Sequence, residues 1–284
     1  MRRIVLLILG MLLSNLVSAH PGVGIVMDQA GNVFYTDLVH VWKIAPDGSH
    51  TIAVENVHTH DLYLDSNGDL YGEHEWHKGN DEWGNYVWCL SKDGILETYL
   101  PEVEGFLDNT TLIRDAEGTS YWIQKSANSN LLMKELSDGS THLVSEYSFD
   151  NVRWMHYSEP NQLLYLVDNL AIKAISKSGE VAIIHNNLKE GTSSFSNVAD
   201  HHYVFGLWDD INNNLYVALY GAKKVKKIDS EGTLSTVFES SMGWSPCGGL
   251  IDQAGNLWVM EFSRWNATRV RKVVPDGNDV LYSG

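Results

Sequence analysis

GIVMDQAGNVFYTD (residues 24–37) and GLIDQAGNLWVMEF (residues 249–262) are two copies of one pattern near opposite ends of the chain. In both, an apolar run ends in an acidic residue, a Gly/Asn turn follows, and a second apolar strand leaves the turn. Four more copies lie between them: DLYLDSNGDLYGEH (61–74), TLIRDAEGTSYWIQ (111–124), HYSEPNQLLYLVD (156–168) and GLWDDINNNLYVALY (206–220). With Asp28, Asp65, Asp115, Glu159, Asp210 and Asp252 as markers, the intervals are 37, 50, 44, 51 and 42 residues. A period of about 40–50 residues is that of a propeller blade, in which four short strands make one unit.

The second half of each unit supports this reading. HVWKIAPDGSHTIAV (40–54) and KVKKIDSEGTLSTVF (224–238) are alternating strands joined by Asp-Gly-type or Glu-Gly-type turns, and the other units carry equivalents. The expected fold is all-β, one six-bladed propeller of four-stranded blades at about 20–56, 57–103, 104–148, 149–190, 191–240 and 241–284. The first unit begins with its innermost strand and the last ends with its outermost one. Closure should therefore join complete blades without a borrowed strand.

Residues 1–19 fall outside the repeat. Arg2 and Arg3 precede the apolar stretch 4–13, and Val17-Ser18-Ala19 places small residues where a signal peptidase cuts. They are read as a signal peptide, which makes His20 the first mature residue and directs the protein to the periplasm or outside the cell. The stretch is too short to span a bilayer, and no other segment approaches that length. A net charge of −16 disfavours nucleic acid and anionic membranes as partners. Cys89 and Cys247 fall in blades two and six, which are not neighbours, so both are expected to stay unpaired.

In an up-and-down blade the chain reaches the innermost strand, and leaves the second strand, at the same end of the channel. Superposing the copies on their markers collects His20, His58, His60, His74 and His202 at that mouth, flanked by His77 and His201, with Asp108, Asp168 and Glu261 nearby. Crowded imidazoles repel when protonated, and a divalent metal relieves this. Neutral imidazole suits zinc or copper, with carboxylates completing or orienting the shell. His58 and His60 are two apart, so on a strand they point the same way. His74 is favoured over His77 because it alone sits at a strand exit, and the segment around it reads either as part of the site or as a charged, solvated loop. Calcium would need oxygen ligands such as Asp108 and nearby carbonyls. A free amine on His20 would allow copper chelation through that amine and its ring. Arg153 is the one cation among the aligned mouth positions, suited to an anionic substrate group. Tyr203, Trp154, Phe205 and Trp244 either line the mouth or pack between blades, and Cys247 is either a soft ligand or a small buried side chain.

HPGVGIVMDQAGNVFYTD (20–37), CGGLIDQAGNLWVME (247–261) and the Pro-Asp-Gly turns after them resemble NHL repeats, over essentially the whole chain beyond the leader. These belong to the wider superfamily of six-bladed propellers that includes gluconolactonase/regucalcin-type lactonases, strictosidine synthase-like proteins and peptidyl-hydroxyglycine amidating lyases. The resemblance implies a ligand site at one mouth of the channel, often with a metal. The Asn-Gly-Leu and Pro-Asp-Gly-Leu motifs of the lactonase calcium site do not occur at these strand entrances. Amidating lyases are implied to use a zinc held by three histidines, with an Arg and a Tyr. His58 or His60, His202, His20, Arg153 and Tyr203 match those residue types.

Together these readings give an exported metalloenzyme carrying out hydrolysis or elimination on a small polar or anionic molecule. Glu261, Asp168 and Tyr203 are the acid/base candidates. The competing reading is a non-catalytic NHL-type scaffold with a protein partner.

Overall fold

The computed structural model describes residues 21–80, 82–105, 112–190, 202–275 and 278–284. Each repeat becomes one antiparallel sheet: residues 25–54, 62–104, 120–143, 152–185, 205–239 and 244–283. The strands follow one another in chain order in every sheet, and the six sheets form a six-bladed propeller. Among the described residues five blades have four strands. Blade three has three, its innermost strand reduced to one bridge between Arg114 and Ser120.

The acidic markers explain why the copies fold alike. In five blades the marker carboxylate accepts the backbone N–H four residues ahead, as Asp28 does from Asn32 at 2.8 Å and Asp252 from Asn256 at 2.8 Å. In four, its other oxygen accepts a hydrogen bond from the aromatic residue six ahead: Tyr71, Tyr121, Tyr216 or Trp258. The residue three ahead always has positive φ, at Gly31, Gly68, Gly118, Gln162, Asn213 and Gly255. This is why Gly or Asn stands there in all but one copy. Glu159 departs from the pattern, reaching instead the side-chain amide of Gln162 at 3.1 Å and the amide of Ala116 in blade three.

Blades are glued by apolar clusters between neighbouring sheets. Phe34, Val54 and Val57 pack on Leu62, Leu70 and Trp88 between blades one and two, and Leu207 and Val217 pack on Tyr165 and Val167 between four and five. At the seam, Val23, Ile25 and Tyr35 of blade one meet Cys247, Trp258 and Met260 of blade six. A Cβ on Gly248 would come within 2.3 Å of the Val23 carbonyl oxygen, so only glycine permits this closure. Among the described residues no strand is shared between the first and last sheets, as expected from the repeat phase.

Cys89 and Cys247 are buried free thiols, and the Cys247 thiol donates to the Met260 carbonyl at 3.4 Å. Among the described residues no helix is long and apolar enough to cross a membrane. The segment around His74 is not a loop: Leu70–Gly79 and Glu82–Leu90 form a long hairpin that extends blade two, with Leu96–Glu104 on its outer edge.

Replacing Asp252 by Ala removes the acceptor for Asn256 and for the buried Trp258 indole N–H. The expected loss is about 2–3 kcal/mol in urea unfolding. Asp28→Ala should cost less, because the residue six ahead is Phe34, which has no polar group to orphan.

Candidate functional site at the channel mouth

The chain entering blade two is pinned on both sides. The carbonyl of His60 accepts the amides of Val23 and Gly24 at 2.7 and 2.9 Å. The Thr59 hydroxyl donates to the Glu73 carbonyl at 2.6 Å, and the Thr59 carbonyl accepts the Thr36 hydroxyl at 2.7 Å. The Glu73 carboxyl, almost fully buried, accepts the amides of His60 and Asp61 at 2.5 and 3.1 Å. His58 and His60 precede the regular strand Leu62–Leu64, so this anchoring, not a strand pleat, brings their rings together edge to face, 4.7 Å between centroids.

His58 Nδ1 lies 2.9 Å from the Leu38 carbonyl. A carbonyl only accepts, so Nδ1 carries the hydrogen and Nε2 is left with a free lone pair. This is the backing that metal-ligating imidazoles usually have. His60 Nδ1 is 3.7 Å from both Glu73 Oε1 and Glu75 Oε2. One donor atom each from His58, His60 and Glu75 lies within 4.8 Å of the other two. Two imidazoles and one carboxylate form a donor set of catalytic zinc, and also of iron(II) sites with open positions.

The other histidines fare differently. His74 Nδ1 accepts the His58 amide N–H at 3.0 Å, and its ring packs against Tyr86. Its lone pair is therefore occupied, and burial, followed by the neighbouring His58, pushes its pKa down. His202 is not in the close group; its ring lies against Phe205 at 6.1 Å. His77 stacks on Trp83 along the extended hairpin. His20, Asp108 and His201 lie outside the described residues.

The acid/base candidates are held in structural contacts. Glu261 is fully buried and accepts two hydrogen bonds from Arg269, at 2.8 and 3.1 Å, with Arg271 at 3.4 Å. Asp168 caps the amides of Asp150 and Asn151 and pairs with Lys173 at 2.5 Å. The buried Tyr203 hydroxyl donates to the Glu190 carbonyl and accepts the Glu190 amide, both at 3.0 Å. Trp154 donates to the Val204 carbonyl and packs on Phe205, while Trp244 lies beneath the Arg269 guanidinium. Arg153 stands at a bulge in the first strand of blade four and is exposed.

Glu73 and Glu75 are the residues that the sequence reading passed over. Alternation along Leu70–Gly79 puts residues 73 and 75 on one face and His74 on the other. Treating that segment as a strand would have selected Glu75 in place of His74. Burial, reinforced by the charge of Asp61, pushes the Glu73 carboxyl up to about 8.

The fold is shared with solved propellers that are distant in sequence. A streptogramin B lyase aligns over 94% of this chain and 85% of its own, with 15% identity and a TM-score of 0.50. A gluconolactonase from Xanthomonas campestris aligns over 87% and 84%, with 16% identity and a TM-score of 0.57. Regucalcin, a calcium-binding protein from Agrobacterium tumefaciens, aligns over 87% and 83%, with 11% identity and a TM-score of 0.56. No protein-family model and no curated protein sequence matches the chain. At these identities the likeness carries the ring architecture alone.

A carboxyl whose pKa rises on folding stabilises the fold below its unfolded value and loses that stabilisation as pH rises through the folded one. For Glu73 the window runs from 4.5 to about 8. In metal-free protein, wild type should lose on the order of a few kcal/mol relative to Glu73→Gln across that window. Urea titrations at several pH values, made in the presence of a chelator, measure the difference.

Proposed function

We propose that the chain is an exported metalloenzyme in which His58, His60 and Glu75 hold a divalent metal, zinc in the first place, and that it hydrolyses or eliminates on a small polar or anionic substrate. The observation that carries this reading is the convergence of three donor atoms within 4.8 Å, one of them on an imidazole already oriented by a backbone carbonyl. The metal would supply Lewis acidity and bring the pKa of water at the site down toward neutrality.

The chain's own residues would do the rest. The Leu38 carbonyl fixes the tautomer of His58, leaving its Nε2 lone pair for the metal. Glu73 holds the His60–Asp61 backbone by accepting one amide hydrogen bond from each residue and keeps a carboxyl close to the His60 ring. Arg153, exposed at the entrance of blade four, is suited to pair with an anionic substrate group. The calcium alternative fits this triad poorly, because two of its three donors are nitrogens.

Elemental analysis of protein purified from its exported form is the first test. About one zinc, iron or copper per chain is expected. His60→Ala and Glu75→Ala should each weaken metal affinity by more than about tenfold, whereas His74→Ala should leave it within about twofold. A metal-free wild type that also fails to take up zinc would end the metalloenzyme reading and favour a scaffold. Metal loss in His74→Ala with retention in Glu75→Ala would move the site to the other face of the hairpin.

A further inference from the structure

The hairpin that carries Glu75 continues past the candidate metal site. Its first strand, Leu70–Gly79, has ten residues, whereas among the described residues the second strands of the other blades have four to seven. Pairing sets His77 opposite Trp83. Side chains alternate along a strand, so Glu75, His77 and Trp83 share one face, with His77 about 6.8 Å past Glu75. The Glu75 amide donates to the His58 carbonyl at 3.0 Å, so the segment that carries the two imidazoles runs beside this strand. In the sheet order, Leu62–Leu64 lies on that side of it and Glu82–Leu90 on the other.

The His77 and Trp83 rings are stacked, with 4.1 Å between centroids and 24° between planes. Neighbouring strands are about 4.8 Å apart, so the rings stack across the hairpin, in the direction from one strand to the next. Each ring then keeps one face outside the stack. That of Trp83 is turned toward the outer edge of the blade, and that of His77 toward the side of His58 and His60. Both residues are exposed, Trp83 by 41%, and neither belongs to the apolar cluster that joins blades one and two. Two conjugated rings therefore stand open to water within one strand repeat of the three donor atoms, at a place where the ring's own packing does not need them. Resting on the metal reading above, we propose that this pair is an aromatic subsite for the substrate: a planar ring lies on the His77 face, backed by Trp83, while the group attached to that ring meets the metal at His58, His60 and Glu75. Flat faces stack in full contact and a saturated ring does not, so aromatic bodies are favoured over aliphatic ones of the same size. The short step from Glu75 to His77 narrows the substrate class to aromatic compounds whose reacting group is joined directly to the ring.

Calorimetric titration of the zinc-loaded chain with a set of hydroxamates tests this. All offer zinc the same pair of oxygens and differ in what they carry: benzohydroxamate a planar ring, cyclohexanecarbohydroxamate a saturated ring of similar size, and acetohydroxamate a methyl group. Benzohydroxamate should bind at least about tenfold tighter than acetohydroxamate and several-fold tighter than the cyclohexyl compound. His77→Ala and Trp83→Ala, each checked for an intact propeller by circular dichroism and for zinc content, should bring benzohydroxamate to within about twofold of acetohydroxamate. Glu75→Ala should weaken the whole set together. If Trp83→Ala fails to fold, His77→Ala decides the matter. Equal binding of all the hydroxamates by wild type, or an unchanged preference for benzohydroxamate in folded His77→Ala, would overturn the aromatic subsite and leave the metal site standing, with the stack a brace for the hairpin. Failure of zinc-treated wild type to bind any hydroxamate would overturn the metal reading and this inference with it.

Discussion

A carboxylate bonded to the amide four residues ahead is the interaction on which this ring rests. It fixes the hairpin between the first and second strands of a blade, and the positive-φ residue at the third position lets the chain turn within that span. Register follows, because a hairpin whose turn cannot slip cannot exchange its inward and outward faces. Where the sixth residue is Tyr or Trp, the same carboxylate also satisfies a polar tip that would otherwise be buried without a partner. One short motif thus serves turn geometry, register and polar satisfaction in most of the blades, and equal hairpins can pack side by side into a closed ring.

The mouth of the channel inherits its rigidity from that ring. The carbonyl of His60 receives two amides from blade one, and its amide gives to Glu73 of its own blade, so the His60 backbone is tied on both sides. Such anchoring allows two imidazoles and a carboxylate to stand close together without collapsing on one another. Glu73, buried and inclined to keep its proton, is tolerated because its oxygen is taken up by two backbone N–H groups. The extended hairpin of blade two brings Glu75 beside His60, and among the described residues no other blade has a comparable extension.

The buried ion pairs show how similar residue types take different work. Glu261 meets Arg269 side-on through two hydrogen bonds, an arrangement that ties the second and third strands of blade six together. Asp168 does the same in blade four with Lys173 and two backbone amides. Both sit at aligned strand exits, as Glu75 nearly does, but cationic side chains of the adjoining strand already occupy their oxygens, and this turns a potential acid or base into a brace.

The sequence by itself determined the ring. Six copies of an acidic turn motif at blade spacing specify blade number, strand order, closure between complete blades and the separation of the two thiols, because these follow from hydrogen bonds and φ angles within a few residues of one another. It also singled out His58 and His60 as candidates, and their rings lie together in the fold. Tertiary structure alone decided the rest. His74 and Glu75 differ by one position, and only the pairing of Leu70–Gly79 with its neighbour settles which of them faces His60. Tyr203, Glu261 and Asp168 carry the right chemistry, yet partners up to 13 or 18 residues away in the chain occupy it. The His156–Asp209 contact joins residues 53 apart. Composition and spacing fix which groups a chain owns, whereas the direction in which a side chain points, and what meets it there, is set by packing between blades.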